Sequence, residues 1–287
     1  MTIREFGEKI GLHEDAIVQS EKLYEIFKDD ALYAEIMKEI DSDRDSHEIE
    51  TMCEELAEKY GLVAHQVELA VLLCCGDITK AIFERLGYTE KLCFDSATDI
   101  RCKANECKNL NGYWGTFVFY WCVRVLRGGI HRLGRLEFET YPSPFDVTIE
   151  GASIKQGEPI IGVHIPLDGP LLMEDVSDSF QQAYDFYGID YSGYVFIACS
   201  SWMLYPPFVE MFKEGSNLKK FADLFEIHQV NVSDEFRVAW RIFNTRDISN
   251  PDALPADTSL RRSMIEYIKN GGKAGDGYGV TAYKGKK

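Results

Sequence analysis

Two predicted strand ends carry the side chains best suited to chemistry. His164 comes near the end of an apolar strand predicted over residues 159–166, and Cys199, Ser200 and Ser201 come at the end of another predicted over 194–202. If the two strands pair in parallel, the imidazole and the hydroxyls open at one edge of the sheet. An imidazole there can act as a general base, and a hydroxyl as a nucleophile or hydrogen-bond donor. A lone strand-end histidine is also often a hydrogen-bonded packing residue, so both roles stay open.

The segment after the first strand has the composition of an anion-binding loop. Residues 166–171 read Pro-Leu-Asp-Gly-Pro-Leu and lead into an amphipathic helix predicted over 174–187. Free backbone N–H groups at a strand–loop–helix junction attract a phosphate or a developing oxyanion. A serine hydrolase is the weaker interpretation, because neither serine lies in a Gly-x-Ser-x-Gly pattern.

Two acidic or glycine-rich patterns are interpreted as structural. The run from Asp41 to Asp45 begins like a calcium loop, but Ser46 and Met52 stand where that loop needs glycine and glutamate. We predict a helix start capped by Asp45 instead. Residues 275–279, Gly-Asp-Gly-Tyr-Gly, lack the preceding strand and following helix of a phosphate loop. They are expected to form a flexible turn into the last strand.

Metal binding is not expected. The eight cysteines do not show the paired spacing of zinc ligands, and buried thiols behave as small hydrophobic groups. A basic cluster leaves two interpretations open, an anion site or charge pairing between domains, of which pairing is favoured. The cluster comprises Arg124, Arg127, His131, Arg132 and Arg135.

Composition places these residues in an ordinary globular protein. The 287 residues carry 31 basic and 47 acidic side chains, a net charge of −16, which argues against nucleic-acid and anionic-membrane partners. No apolar run approaches the roughly 20 residues that cross a bilayer. The first residues lack a basic start followed by an apolar stretch, so we expect no secretory signal, a cytoplasmic location and reduced thiols.

The chain divides into two halves of different character. Residues 1–127 contain no proline and carry 25 acidic and 15 basic residues, whereas all nine prolines lie in residues 128–287. Helical periodicity predicts an all-helical first domain, 1–127, with helices at 13–27, 31–40, 48–60, 63–73, 78–86 and 90–104. Residues 115–126 read as a helix or a strand.

A mixed sheet with flanking helices is predicted for the second domain, 128–287, which makes the fold class α+β or α/β. Strands are expected at 135–139, 146–150, 159–166, 194–202, 226–231, 236–243 and 278–283, and helices at 174–187, 207–212, 217–225 and 258–270. The strand–helix–strand run from 160 to 200 fits a right-handed crossover between parallel strands. The strands at 226 and 236 are expected to form a hairpin, and the alternating residues 135–139 a half-buried strand.

Four segments resemble bacterial proteins that join a helical N-acyltransferase N-terminal domain to a GNAT-like C-terminal domain. These segments are residues 129–139, 163–171, 200–204 and 215–221. The helical half resembles that family more loosely, chiefly through Asp99 and the helix before Arg124. The resemblance spans essentially the whole chain and is most specific in residues 129–225.

The resemblance implies transfer of an acyl group from acetyl-CoA or another acyl-CoA, a cosubstrate and not a bound cofactor, to an amine. The acceptor would be a small molecule or a peptide. The strands at 160–165 and 194–202 would splay apart to admit the thioester, with His164 as general base and Ser201 as hydrogen-bond donor. The residues that would hold the cosubstrate are Leu167, Asp168, Gly169, Leu171, Trp202 and Asn217.

One departure from the family pattern favours an alternative. The pyrophosphate loop of GNAT enzymes reads Gln/Arg-x-x-Gly-x-Gly/Ala, but this chain has a single Gly169 followed by Pro170, which has no N–H to donate. The alternative is a non-catalytic protein that binds a ligand or partner on a degenerate GNAT-like scaffold.

Overall fold

A computed structural model describes residues 1–286. The chain folds into two compact units. The first comprises Met1–Leu133 with the short segment Pro166–Asp168, and the second comprises Gly134–Ile165 with the described chain from Gly169 onward.

The first unit is built almost entirely of helices around the buried helix α5. All residues of α5 from Val67 to Leu73 are buried, as the apolar run 63–73 predicts. The unit also holds the short strand β1 (His131–Leu133). Its helices are α1 (Ile3–Lys9), α2 (Glu14–Phe27), α3 (Ala31–Glu39), α4 (Ser46–Tyr60), α5 (Ala64–Leu73), α6 (Gly76–Arg85), α7 (Glu90–Asn111) and α8 (Phe119–Leu126).

Local capping chemistry explains where these helices begin and end. The Asp45 carboxylate accepts the His47 N–H at 2.8 Å, so the calcium-like segment is a helix start, as predicted. Gly61 ends α4 with a φ of +63°, a left-handed conformation that favours glycine. Residues 115–126, left open from sequence, contain a helix. Helix α1 was not predicted, although Thr2 and Glu5 form a capping box at its start.

The second unit is a mixed sheet with flanking helices, which confirms the predicted fold class. Five strands of this unit follow one another in the order β2-β5-β6-β8-β7, and β3 pairs with β4 in a separate hairpin. The strands are β2 (Leu136–Pro142), β3 (Val147–Ile149), β4 (Ala152–Ile154), β5 (Pro159–His164), β6 (Tyr194–Ser201), β7 (Glu226–Ser233) and β8 (Ala274–Lys284). The helices are α9 (Met173–Tyr187), α10 (Pro206–Val209), α11 (Asn217–Ala222), α12 (Ala239–Phe243) and α13 (Ser259–Lys269).

Side chains alternate between the two faces of this sheet. Glu139 lies opposite Gly162, and Gly162 lies opposite Ala198. These three residues lie on one face of the sheet, and so does every second residue before and after them on each strand. We call this the histidine face. The other is the α9 face, because Phe180 of α9 packs on Phe138 with ring centroids 6.3 Å apart. The histidine face carries Glu137, Glu139, Tyr141, His164, Ser200, Asp276 and Tyr278.

The pairing between the two parallel strands β5 and β6 stops before their carboxyl ends. Their register runs only as far as the pair Gly162–Ala198, while β5 continues to His164 and β6 to Ser201. The outer neighbours remain paired, β2 with β5 as far as His164 and β8 with β6 as far as Ser201. The unpaired ends of β5 and β6 therefore lie between two strands that remain paired, and we call this place the gap.

The predicted hairpin of residues 226–231 and 236–243 is wrong. Residues 239–243 form the helix α12, because Ala239, Ile242 and Phe243 recur at helical spacing and are all buried. Strand β7 pairs with β8 instead. The β-branched and aromatic composition of 236–243 favours a strand locally, but tertiary packing overrides that preference.

The predicted flexible turn at residues 275–279 is also wrong, since these residues lie within β8. Their glycines let neighbouring segments approach the strand closely. A Cβ atom on Gly277 would lie 2.2 Å from the carbonyl oxygen of Leu204, and one on Gly275 would lie 2.6 Å from that of Asn231. Glycine inside a strand marks this kind of close backbone approach.

The expected half-buried strand at 135–139 is more buried than its alternation suggests. Leu136, Glu137 and Phe138 are all buried, so the polar positions of β2 do not form a solvent face. Among residues 1–286, no helix combines the length and the hydrophobicity needed to cross a membrane.

Candidate functional site

His164 and Glu139 form a hydrogen-bonded pair on the histidine face, beside the gap between β5 and β6. The His164 Nε2 atom lies 2.8 Å from Glu139 Oε1. The two residues sit diagonally on adjacent antiparallel strands, since Glu139 is opposite Gly162 and His164 lies two residues further on. The His164 side chain is 32% exposed, so its ring reaches solvent while Glu139 holds one nitrogen.

Two tyrosines span the sheet next to this pair. The hydroxyls of Tyr141 on β2 and Tyr278 on β8 lie 3.2 Å apart, although β5 and β6 separate their strands. Gly162 makes room for this crossing, because a Cβ atom there would lie 2.5 Å from Tyr141 Cε1. Burial raises the pKa of both phenols, so both remain protonated near neutral pH and can donate hydrogen bonds.

The two serines at the end of β6 face opposite sides of the sheet. Ser200 is exposed and shares the histidine face, where it lies opposite Tyr278. Ser201, which we predicted to act with His164, lies on the α9 face. Its Oγ accepts the N–H of Met203 at 3.2 Å and so caps the 3-10 turn that follows β6. The register therefore brings Ser200, and not Ser201, to the face of His164.

Cys199 offers no nucleophile to this site. The residue is 1% exposed, and burial raises the pKa of its thiol to about 12. A buried thiol with so high a pKa forms little thiolate and is a poor nucleophile.

The loop predicted to hold phosphates has several of its polar groups engaged. The Asp168 N–H donates to the Pro166 carbonyl at 2.9 Å. Within the first unit, the Asp168 carboxylate pairs with Arg101 and Arg132, each at 2.9 Å. Leu167 is 57% exposed.

The second half of that loop belongs to the other unit and is held by one arginine. Arg135 donates to the carbonyls of Gly169 at 2.8 Å and Pro170 at 3.1 Å. Gly169 has a φ of +79°, and the Leu171 side chain is buried. Helix α9 begins close by at Met173 without a side-chain cap, and Glu174 and Asp175 place two carboxylates in its first turn.

The last two predicted residues lie on elements that follow β6. Trp202 begins the 3-10 turn and packs against the rings of Phe208 and Phe212, with centroids 6.4 and 6.2 Å away. Asn217 is the first residue of α11, a helix capped by the Ser216 hydroxyl. Both residues are partly exposed.

The members of the basic cluster make separate contacts within the protein. Arg127 donates to the carbonyls of Glu39, Ile40 and Arg44, which satisfies the carboxyl end of α3 and the turn after it. Arg124 stacks over the Trp121 ring at 5.2 Å. Burial lowers the pKa of His131 to about 4, so its imidazole is neutral at pH 7.

Sequence reasoning missed Glu139, Tyr141 and Tyr278 as members of the site. Strand alternation was the available signal for Glu139, because it sets residues 137, 139 and 141 on one face of β2. The register between β2 and β5 that brings Glu139 to His164 is a tertiary property. Within residues 1–286, no group of three or more His, Cys, Asp or Glu side chains is placed to hold a metal ion.

Family models match nearly the whole chain. The model described as the GNAT-like C-terminal domain matches residues 130–281, and the N-acyltransferase N-terminal domain matches residues 1–128. No curated protein sequence matches this chain.

Solved structures share the fold. An acyltransferase in complex with decanoyl-CoA and teicoplanin superposes with a TM-score of 0.73 at 20% identity, covering 97% of this chain and 87% of that chain. An acyltransferase in complex with CoA and 10C-teicoplanin gives 0.71 at 20% identity, covering 97% and 86%. Another in complex with decanoyl-CoA gives 0.63 at 16% identity, covering 98% and 99%.

Proposed function

Because this chain belongs to the acyltransferase family with a GNAT-like C-terminal domain, here preceded by the N-acyltransferase N-terminal domain, we propose that it transfers an acyl group from acyl-CoA to an amine. The acceptor is a small molecule or a peptide. The observation that carries this proposal is the gap between β5 and β6, with the His164–Glu139 pair at its rim.

The donor enters this gap from the α9 face. Past the pair Gly162–Ala198, β5 and β6 are not paired with each other. Their facing backbone groups can therefore hydrogen-bond to the extended arm of the thioester. Within the second unit, the uncapped start of α9 and the residues Gly169 and Leu171 before it are a source of N–H groups for phosphates. The complexes of the structural neighbours with decanoyl-CoA and CoA support the choice of donor.

His164 acts as the general base. An amine is mostly protonated at pH 7, so it must lose a proton before its lone pair can attack the thioester carbonyl. His164 accepts that proton directly or through a water molecule, while Glu139 fixes the ring. The new bond joins nitrogen to the acyl carbon, and the carbon–sulfur bond breaks. The Ser200 and Tyr278 hydroxyls share this face and can donate to the leaving thiolate.

A second function, ligand or partner binding without catalysis, is favoured by one observation. The loop has a proline at position 170, and its Asp168 N–H is already bonded to Pro166. Two of the backbone positions that would contact a pyrophosphate are thus without a free donor.

A donor titration separates the two functions. CoA, acetyl-CoA and octanoyl-CoA are added to the full chain at up to millimolar concentrations, and the melting temperature is recorded. Acyltransferase function predicts a rise for every donor that binds the folded state. No shift with any of the three donors contradicts it.

Turnover is measured next, with mass spectrometry of a panel of amines. His164→Ala is expected to abolish acyl transfer and to keep the donor-induced melting shift. His47→Ala, which removes an exposed histidine of α4, serves as the matched control and should keep full activity. Full activity in His164→Ala contradicts the assigned role of this residue.

A further inference from the structure

Two tyrosines cross the histidine face at the place where the gap begins. Gly162 and Ala198 form the last pair of β5 and β6, and they leave a stretch of this face with no side chain larger than a methyl group. The Tyr141 ring covers that stretch, because a Cβ atom on Gly162 would lie 2.5 Å from Tyr141 Cε1. The Tyr141 and Tyr278 hydroxyls meet at 3.2 Å, and we call these two residues the tyrosine pair.

The tyrosine pair is held by its neighbours. Tyr278 packs edge-on against Phe145 with ring centroids 5.4 Å apart, and Phe145 lies against the His228 ring, also at 5.4 Å. Tyr141 and Tyr278 both pack on the apolar cluster that joins the sheet to the hairpin of β3 and β4. This packing and the contact between the hydroxyls keep both rings at the end of the gap.

An acyl chain in the gap has three directions in which it could extend, and two of them are filled. Along the strands, the Gly162–Ala198 pair closes the sheet. On the α9 face, Val163 and Cys199 beside the gap are buried, and the buried Phe138 lies opposite Val163. Within the second unit, this leaves the histidine face for the chain.

The tyrosine pair bounds the path along the histidine face. Toward the amino ends of β5 and β6, this face continues into a packed core, where Ile160 and Phe196 are buried against the hairpin of β3 and β4. Toward the carboxyl ends lie His164 and Ser200, which the attacking amine must reach. The acyl chain is therefore confined between the base and the tyrosine pair.

The space between the base and the tyrosine pair fits a short acyl group. The amine attacks beside His164, so the thioester carbonyl lies level with this residue, two residues or about 7 Å along β5 from Gly162. A carbon atom of the chain approaches a ring carbon no closer than about 3.5 Å. The remaining distance, roughly 3.5 Å, holds one or two carbon–carbon bonds of about 1.5 Å each.

We propose that the tyrosine pair limits the donor to short acyl groups, acetyl or propionyl, and so determines the acyl specificity of this chain. This inference rests on the proposed acyltransferase function. A longer chain would have to displace a packed ring and break the contact between the Tyr141 and Tyr278 hydroxyls. That displacement is unfavourable, because it leaves partly buried polar groups without a partner.

Calorimetry on the full chain without acceptor measures the affinities for CoA, acetyl-CoA and octanoyl-CoA. Wild type is expected to bind octanoyl-CoA no more tightly than acetyl-CoA, because the additional methylenes find no apolar site. The variant Tyr141→Val removes the ring and keeps a residue that favours strands. It should raise the affinity for octanoyl-CoA at least tenfold relative to that for acetyl-CoA, since each methylene that becomes buried strengthens binding.

Two matched variants separate the loss of the ring from other effects. Tyr141→Phe loses the hydroxyl and keeps the ring, so it should keep the wild-type ratio of the two affinities. Tyr191→Val should also keep it, because Tyr191 packs on the same apolar cluster but donates its hydroxyl to Pro159 at the amino end of β5. Circular dichroism verifies that Tyr141→Val is folded, and the wild-type series tests the proposal without any variant.

Three results would overturn the proposal. One is a wild type that binds octanoyl-CoA tenfold more tightly than acetyl-CoA. Another is a folded Tyr141→Val variant that keeps the wild-type ratio. The third is an equal gain for octanoyl-CoA in Tyr141→Phe or Tyr191→Val, because loss of the Tyr141 ring would then not be what admits the chain.

Failure of the acyltransferase function gives a different result. If wild type binds all three donors but prefers octanoyl-CoA, acyl transfer is supported and only the limit on chain length is overturned. If wild type binds none of the three, CoA included, both acyl transfer and the limit on chain length are contradicted.

Discussion

The Nε2 atom of His164 lies 2.8 Å from the Oε1 atom of Glu139, on the strand next to it in the sheet. The Glu139 side chain is 15% exposed and that of His164 is 32% exposed, so the carboxylate lies deeper than the ring it holds. A carboxylate acceptor on one ring nitrogen fixes the orientation of the imidazole.

The first prediction concerns this pair. Glu139→Gln is expected to lower kcat on the order of a hundredfold, because the amide no longer holds the His164 ring as an anionic acceptor does. Donor affinity should not change, since Glu139 lies on the histidine face. Steady-state kinetics with a melting-shift titration measure both quantities. Glu210→Gln, on an exposed glutamate, is the control. A kcat within twofold of wild type would show that Glu139 does not position the base.

The second prediction separates the two serines. Ser200→Ala is expected to lower kcat by roughly tenfold or more, because it removes a donor from the face of His164. Ser201→Ala should instead cost about 1 kcal/mol of unfolding free energy, because its hydroxyl caps the turn at Met203, with kcat unchanged. Urea unfolding and kinetics on both variants measure the two effects. The reverse pattern would support the sequence-based role of Ser201.

The third prediction concerns the stability of the first unit against pH. Glu68 on α5 is 2% exposed, and burial, aided by the Glu50 and Glu54 carboxylates, raises its pKa from 4.5 to about 9. The unfolded chain releases this proton near pH 4.5, while the folded chain keeps it to about pH 9. The contribution of Glu68 to the free energy of unfolding is therefore greatest below pH 4.5. It falls as the pH rises toward 9, by at most about 1.4 kcal/mol per pH unit.

Glu68→Gln removes that decline because the amide is neutral in both states. The variant should melt at a higher temperature than wild type at pH 8, and the difference should shrink at pH 5. Melting curves at pH 5, 6.5 and 8 measure it, with the exposed Glu55→Gln as the control. Equal pH slopes for wild type and Glu68→Gln would contradict the prediction.

Much of the helical unit follows from local rules. The apolar spacing of residues 63–73 predicts a buried helix, and Asp45 and Gly61 mark the start and end of α4. Helix caps and apolar periodicity depend on residues that are close in sequence, so a single sequence is enough to predict these helices. Residues 236–243 could not be predicted in this way. A short run of aromatic and apolar residues fits both a strand and a helix, and the segments that pack against it decide between them.

The class of the fold, most helices of the first unit and the strand ends that carry His164 and the serines could be predicted from the sequence. Which of these groups meet depends on the strand register. The register between β2 and β5 brings Glu139 to His164, and Gly162 lets Tyr141 reach Tyr278 across two strands. A shift of one residue in register moves every side chain to the opposite face. That choice depends on pairing between distant segments, which is why Ser200 and not Ser201 shares the face of His164.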